Sequence, residues 1–363
     1  PEGIMPVIDC GESGSTPRFL FPLALVRMGQ ARFLGRGRLG QRPMEPYYQI
    51  FDQQGISYKQ SQPGKNSAAI QQAAGLDLQL AGNLQPGEFV LPGNVSSQFI
   101  SGLLFALPLL KADSSIRLTT PLESKGYLDM TIKVMHDFGV DVSNEGNHTF
   151  RVEGRQRYQS TTYSIEGDYS QAAFFLAADA LGSEVEVAGL KAKTLQGDRE
   201  ILNLIMRMGG HIHQGEKGVL AMAGSEGLQA AEIDASQCPD LVPILAVLAA
   251  LSQGTTEIIK AERLRLKECD RLQAVAVELC KLGARVQERP DGLVIEGVPA
   301  LRGGVQVSSH QDHRIAMSLA MAATCCELPV EITDSQCVQK SYTDFWRDFQ
   351  SLGGKIEIGR QVL

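Results

Sequence analysis

"IDASQCPDLVPILAVLAALS" runs from Ile233 to Ser252 and joins three kinds of structure in twenty residues. A short strand opens it, a polar turn able to cap a helix follows, and the run from Leu241 to Leu251 is apolar throughout. A helix that is apolar on every face has to be buried on every face. Four other stretches share the plan: "IDCGESGSTPRFLFPLALV" from Ile8, "LPGNVSSQFISGLLFALPLL" from Leu91, "IEGDYSQAAFFLAADALG" from Ile165 and "VSSHQDHRIAMSLAMAATCC" from Val307.

Each copy is followed by a second helical pattern: "MEPYYQIFDQQGI", "LDMTIKVMHDFGV", "DREILNLIMRMGG", "CDRLQAVAVELCKLGA" and "TDFWRDFQSLGG". All of them stop at glycine, the residue expected just past a helix C-terminus, and strands such as "VDVSN", "HIHQG" and "KIEIG" come next. The unit is an α/β one, βαβαββ, returning roughly every 70 to 80 residues. Five copies are visible. Two domains made of one unit would share six, so one unit is expected to be missing ahead of the first copy. The copies divide into a domain over 1–165 with two units and a domain over 166–363 with three. Buried first helices put helices inside and sheets outside. Their polar N-termini, with unpaired N–H groups and partial positive charge, gather at one end and favour phosphate or carboxylate.

Composition excludes several classes. With 43% hydrophobic and 21% charged residues in 363, the chain is of ordinary globular make-up. Its longest apolar runs, about a dozen residues, fall short of the roughly 20 needed to cross a bilayer, so no membrane association is expected. No leader pattern opens the sequence, which makes the cytoplasm the expected compartment. Seven cysteines without a CxxC pair fit that setting as small buried groups. A net charge of −7 disfavours nucleic acid, while Arg18, Arg42, Lys267, Arg271 and Arg314 stand at helix mouths, as a small anion in a cleft would require.

The densest chemistry lies in "RLRLKECDRL", Arg263 to Leu272, where Lys267, Glu268 and Arg271 put an acid between two cations on adjoining turns at a helix start. Alone, this would read as a solvated, salt-bridged helix start. "CPD" at Cys238–Asp240 and "HQDHR" at His310–Arg314 occupy the corresponding turns of neighbouring units, however, and charge ahead of an apolar helix is costly unless it is used.

On these motifs the chain resembles the 5-enolpyruvylshikimate-3-phosphate synthase family (3-phosphoshikimate 1-carboxyvinyltransferase), on the route to chorismate. "GESGSTPR", "GQRPMEPY", "GNVSSQF", "SKGYLDMT", "EGDYSQAAFFLAA", "QGD", "PDLVPILA", "RLRLKECDRL", "DHRIAMSLA" and "CVQKSYTDFW" come in the family's order across essentially the whole chain. The resemblance implies a two-domain enolpyruvyl transferase fold, an inside-out α/β barrel. It also implies transfer of the carboxyvinyl group of phosphoenolpyruvate to the 5-hydroxyl of shikimate 3-phosphate, releasing phosphate. Family members begin with a further stretch of about one unit, carrying a glycine-serine-lysine-serine motif and then an arginine, that this sequence does not show.

Carried over by motif, Gly14, Arg42, Arg271, Arg314 and Lys340 match the phosphoenolpyruvate contacts, and Ser96, Ser97, Gln98, Ser124, Tyr127, Asp240 and Lys267 match those of shikimate 3-phosphate. Arginine forks and a lysine point charge suit carboxylate and phosphate. Hydroxyls and an amide suit a phosphorylated polyol. Asp240 would take or orient the 5-hydroxyl proton, Glu268 would shuttle the proton of the methylene carbon, and Asp312 and His313 would assist. Glu12 and Arg263 stand where the family often has Asn. The opening motif is a helix-entry anion site and not a nucleotide P-loop, since the GxxxxGK[ST] spacing is absent. No cofactor and no metal are implied, and a monomer acting on small molecules is expected. His211 and His213 share a strand face but lack a third ligand nearby, Cys10, Cys238 and Cys269 are flanking thiols open to labelling reagents, and Phe345 and Trp346 are packing.

Two alternatives stand beside this reading. The sister carboxyvinyltransferase acting on UDP-N-acetylglucosamine shares the chemistry but usually carries a cysteine in the loop ahead of its Arg-Pro, and "GRGRLGQRP" from Gly35 to Pro43 has none. The other is a truncated chain that keeps part of the anion-binding cleft without turnover.

Overall fold

The computed structural model describes residues 5–61 and 75–357. The chain divides into two compact units, Pro1–Ser164 and Ile165–Leu363, one residue before the boundary read from the sequence. Among the described residues no helix is long and apolar enough to cross a membrane.

The first unit holds two successive βαβαββ modules. One comprises β1 (Val7–Asp9), α1 (Ser15–Arg27), β2 (Gln30–Leu34), α2 (Glu45–Gln54), β3 (Ser57–Gln60) and β4 (Asp77–Ala81). The other comprises β5 (Glu88–Leu91), α3 (Ser97–Ala106), β6 (Ser114–Leu118), α4 (Lys125–Asp137), β7 (Ser143–Glu145) and β8 (Thr149–Val152). Their four-stranded sheets have orders β1-β2-β4-β3 and β5-β6-β8-β7, the first pair of each parallel and the rest antiparallel. A parallel pair needs a crossover, and the buried helix supplies it. Helices α1 and α3 pack together closely: an added Cβ on Gly102 would collide with the Arg18 carbonyl. The Tyr47 hydroxyl, fully buried on α2, bridges the same two helices through the carbonyls of Arg18 (2.5 Å) and Phe99 (3.0 Å).

The second unit opens with α5 (Tyr169–Ala180), α6 (Glu200–Arg207), β9 (His211–Gln214) and β10 (Val219–Met222), the two strands forming an antiparallel hairpin. A complete module follows: β11 (Glu232–Asp234), α7 (Val242–Ala250), β12 (Thr255–Ile259), α8 (Arg271–Lys281), β13 (Arg285–Arg289) and β14 (Gly292–Glu296), in sheet order β11-β12-β14-β13. Last come β15 (Leu301–Gly303), β16 (Gln306–Ser308), α9 (His313–Thr324), β17 (Cys326–Leu328), β18 (Glu331–Thr333) and α10 (Phe345–Ser351).

The apolar runs are interior helices. All nine residues of α7 are buried, as are eleven on α5 and ten on α9, and the three helices pack on one another. Each buried Leu, Ile or Val there stabilises by about 1.5–3 kcal/mol. Their ends are set by the polar turns: Asp168 accepts from the Ser170 N–H at 2.7 Å, and Asp312 from the Arg314 N–H at 2.8 Å. The amphipathic helices end at glycine as expected, with Gly55 at φ 66° after α2 and Gly283 at φ 102° after α8.

Among the described residues the sheets remain separate and do not close into a barrel of strands. Two expectations need correction. No strand forms at Ile165, which is 91% exposed in irregular chain, because nothing pairs with it there. Lys355–Glu357 of "KIEIG" are also irregular, and the rest of that stretch lies outside the described residues.

Candidate active site

Arg271 is the centre of the second unit's charged cluster. It is the first residue of α8, not one of a run of helical charges: Glu262–Leu266 form a 3-10 turn, Lys267 is extended, and Asp270 caps the helix by accepting from the Gln273 N–H at 3.1 Å. This break in the chain lets Lys267, Glu268 and Arg271 turn inward together instead of radiating from a helix.

The buried Arg271 guanidinium donates to three carboxylates. Nε reaches Asp312 Oδ2 at 2.7 Å, Nη1 reaches Asp240 Oδ1 at 2.8 Å, and Nη2 reaches Glu268 Oε2 at 2.7 Å. Lys267 Nζ lies 3.3 Å from Asp240 Oδ1, and Arg314 Nη2 lies 3.4 Å from Asp240 Oδ2. Lys340 Nζ donates to the Gln311 carbonyl at 2.7 Å, one residue ahead of Asp312. The structure therefore gathers Asp240, Lys267, Glu268, Arg271, Asp312 and Arg314, from three helix entrances, into one network, with Lys340 beside it.

The electrostatics follow from burial and pairing. Burial alone would raise the Asp240 carboxyl, but Arg314, Lys267 and Arg271 outweigh it and hold the group well below the usual carboxylate range. Burial would likewise lower Arg271, yet Asp312, Glu268 and Asp240 push it well above its ordinary value. Lys267 is lowered by desolvation, with Asp240 opposing that effect. Burial takes His313 down to about 4, only partly opposed by Asp312, so its ring is neutral near pH 7.

In the first unit, Gly14 precedes α1, and an added Cβ there would run into the Arg42 guanidinium and lie 3.3 Å from Arg18 Nη1. Ser96 caps α3 by accepting from the Gln98 N–H at 3.3 Å; Ser97 is buried at the first helical position. Gln98 Oε1 accepts from Arg18 Nη1 at 2.9 Å, and Arg18 Nη2 donates to the Pro43 carbonyl, next to Arg42, at 3.3 Å. Ser124 is held at φ 55° ahead of α4, where Tyr127 sits in the first turn. Its loop is tied to the Ser96 loop: the Glu123 N–H donates to the Gly93 carbonyl at 3.1 Å, and the Gly93 N–H to Thr120 Oγ1 at 2.9 Å.

The chain matches EPSP synthase (3-phosphoshikimate 1-carboxyvinyltransferase) over residues 3–349. It belongs to that family. A 3-phosphoshikimate 1-carboxyvinyltransferase of Clostridium beijerinckii is 52% identical over 350 residues, covering 96% of this chain and 78% of that protein. One from Clostridioides difficile is 51% identical over 352 residues, with 96% and 77% covered. Among solved structures, EPSP synthase from Acinetobacter baumannii superposes with a TM-score of 0.75 at 24% identity, covering 99% of this chain and 81% of that one. The enolpyruvyl transferase NikO from Streptomyces tendae gives 0.70 at 19% identity, with 94% and 76% covered. The enolpyruvyl transferase fold and the transferase activity implied by the motifs are those of the family.

Sequence reasoning under-used Arg18. This EPSP synthase family member places it one helical turn after Gly14, where its guanidinium joins Gln98 to the segment carrying Arg42 and lies 4.9 Å over the Phe99 ring. The signal was the i, i+4 spacing within "GSTPR" itself. The thiol expectation is corrected: Cys10, Cys238 and Cys269 are buried, and desolvation raises Cys10 to about 11 and Cys238 to about 12, so thiolate is scarce near neutral pH.

Proposed function

We propose that the Arg271 network is the acid–base and phosphoenolpyruvate-binding centre for carboxyvinyl transfer to the 5-hydroxyl of shikimate 3-phosphate. One observation carries the reading. Arg271, Lys267 and Arg314 face Asp240, Glu268 and Asp312, three charges of each sign, so the network is balanced before any substrate enters. Bringing phosphoenolpyruvate and a phosphorylated carbocyclic polyol carboxylate to it adds several negative charges. Arg271, Arg314 and Lys340 then take the new carboxylate and phosphate as partners, and a resident carboxylate becomes the group most easily neutralised by a proton.

Glu268 suits that role, lying beside Arg271, which donates to it at 2.7 Å, while Asp240 is held well below the usual carboxylate range by three cations. Protonated Glu268 delivers its proton to the methylene carbon as the 5-oxygen bonds to the adjacent carbon of phosphoenolpyruvate. The same carboxylate then removes a proton from that carbon as the bond to phosphate breaks, restoring the vinyl group. Asp240 accepts the 5-hydroxyl hydrogen bond, orients it and takes its proton as the new C–O bond forms, once Arg271 and Arg314 share their charge with the substrate anions, and the proton leaves with the departing phosphate. Positioned acid–base groups of this kind contribute about 10²- to 10⁴-fold in rate.

In the first unit, Arg42 and the side-chain-free position at Gly14 are assigned to phosphoenolpyruvate, and Ser96, Ser97, Gln98, Ser124 and Tyr127 to shikimate 3-phosphate. Hydroxyl and amide groups at the entrance of a buried helix fit a phosphate. The test is phosphate release from phosphoenolpyruvate with shikimate 3-phosphate in one tube and UDP-N-acetylglucosamine in another. Release with shikimate 3-phosphate alone is expected; release with the nucleotide sugar alone would transfer the network to the sister reaction.

A further inference from the structure

We propose that Glu278 is a positioning residue for phosphoenolpyruvate binding, acting through the segment Ser308–Asp312; this rests on the assignment of Lys340 and Arg271 above. Glu278 is 1% exposed, on α8, seven residues after Arg271. Seven residues are two helical turns, so the two side chains leave the same face about 10 Å apart.

Both grip one short piece of chain. Glu278 Oε2 accepts the Ser308 N–H at 3.0 Å and Oε1 meets His310 Nε2 at 2.8 Å, while Arg271 holds Asp312 four residues further on. Between these anchors, His310 and Gln311 are both in the left-handed region, at φ 51° and 58°. Two successive non-glycine residues do not adopt that conformation unless their surroundings impose it. Its effect is to present the Gln311 carbonyl to Lys340 Nζ at 2.7 Å. The Glu278 carboxylate, kept ionised against burial by Lys281, the Ser308 N–H and His310, is the fixed point from which that turn is built.

On an amphipathic helix, a Glu with Lys three residues later reads as a surface ion pair. Here only Lys281 is open to solvent, at 43%, and the acid faces inward to the loop. A merely structural carboxylate would have no reason to couple to Lys340 in particular.

Two readouts test this. In hydrogen-exchange mass spectrometry of the full chain, Glu278→Ala should speed exchange of peptides spanning 308–312 at least tenfold while peptides of β12 and α7 keep their protection. Unchanged exchange in 308–312 would overturn the anchor whatever the kinetics show. In steady-state assays Glu278→Ala should raise the KM for phosphoenolpyruvate about tenfold and leave that for shikimate 3-phosphate within twofold, and Glu278→Gln, which keeps an acceptor for the Ser308 N–H, should recover most of the loss. In a Lys340→Met background the same Glu278→Ala change should alter the phosphoenolpyruvate KM less than threefold. Equal effects in both backgrounds would overturn the proposed route through Lys340. Should Glu278→Ala fail to fold, His310→Ala, at a more exposed position, carries the exchange and kinetic arms with a smaller shift of about threefold. A Lys340→Met chain with unaltered phosphoenolpyruvate KM would instead count against the assignment of Lys340 itself, and the exchange result would still decide the anchor.

Discussion

Arg271 grips Asp312 at both oxygens, with Nε 2.7 Å from Oδ2 and Nη2 3.3 Å from Oδ1, in a place where neither side chain meets solvent. The same Oδ1 accepts the Arg314 N–H at 2.8 Å and so caps α9. One carboxylate thereby fixes the guanidinium of one candidate ligand and the backbone of another. Asp312→Asn keeps a good helix cap but removes the charge opposite Arg271. Arg271 keeps Asp240 and Glu268 as counter-charges but loses an ionised acceptor for its buried N–H groups, which costs about 1–3 kcal/mol. Urea unfolding should show a loss of that size; a loss under 1 kcal/mol would mean that the pair is not a structural keystone.

Glu268 and Arg271 make a separable prediction. Glu268→Gln preserves shape and an acceptor for the Arg271 N–H but cannot donate and reclaim a proton. Turnover should fall at least tenfold while the dissociation constants of both substrates change less than threefold, measured by rapid-quench kinetics and fluorescence titration. A variant within twofold of the parent removes Glu268 from proton transfer.

Gly14 is defined by what its missing side chain leaves open. Its φ is −71°, ordinary for any residue, so alanine brings no backbone strain. The added methyl group meets the far end of Arg42, which can swing aside at little cost to folding. Gly14→Ala should therefore melt within a few degrees of the parent and raise the phosphoenolpyruvate KM about tenfold, with shikimate 3-phosphate affected less than threefold. Equal increases for both substrates would show that Arg42 is not specific to phosphoenolpyruvate.

How much of this could be read from sequence depends on how each feature is encoded. The buried helices were legible because α7 has no polar residue to place, and the caps because Asp168 and Asp312 precede apolar runs. The strand at Ile165 was over-read: a strand needs a partner, and pairing is invisible in a single segment. Lys267, Glu268 and Arg271 were legible as a group because they fall within five residues, but their inward turn depends on the non-helical backbone at Lys267. Asp240 and Asp312 approach Arg271 across 31 and 41 residues of sequence, and only their equivalent places in successive modules hinted at it. Glu278 gave no hint at all, since its partners lie about 30 residues away and its neighbour Lys281 imitates a surface pair.

His313 sets the last prediction, a pH dependence of stability. Burial lowers its imidazole from 6.5 to about 4, and Nδ1 is 4.0 Å from the nearest Asp312 oxygen, too far for a hydrogen bond. Between those two pH values the unfolded chain binds a proton that the folded chain refuses. Stability must then rise with pH across this interval, and be lost as pH falls from about 6.5 toward 4. For a shift of this size the loss between pH 7 and pH 5 is about 2 kcal/mol, growing to about 3 kcal/mol at and below pH 4. Urea midpoints of the parent should therefore drop over pH 7 to 5, and those of His313→Asn should drop by distinctly less, because asparagine has no proton to take up on unfolding. Parallel slopes for the two proteins would show that the imidazole already titrates in the folded state, and that the Asp312 carboxylate, not burial, governs its charge.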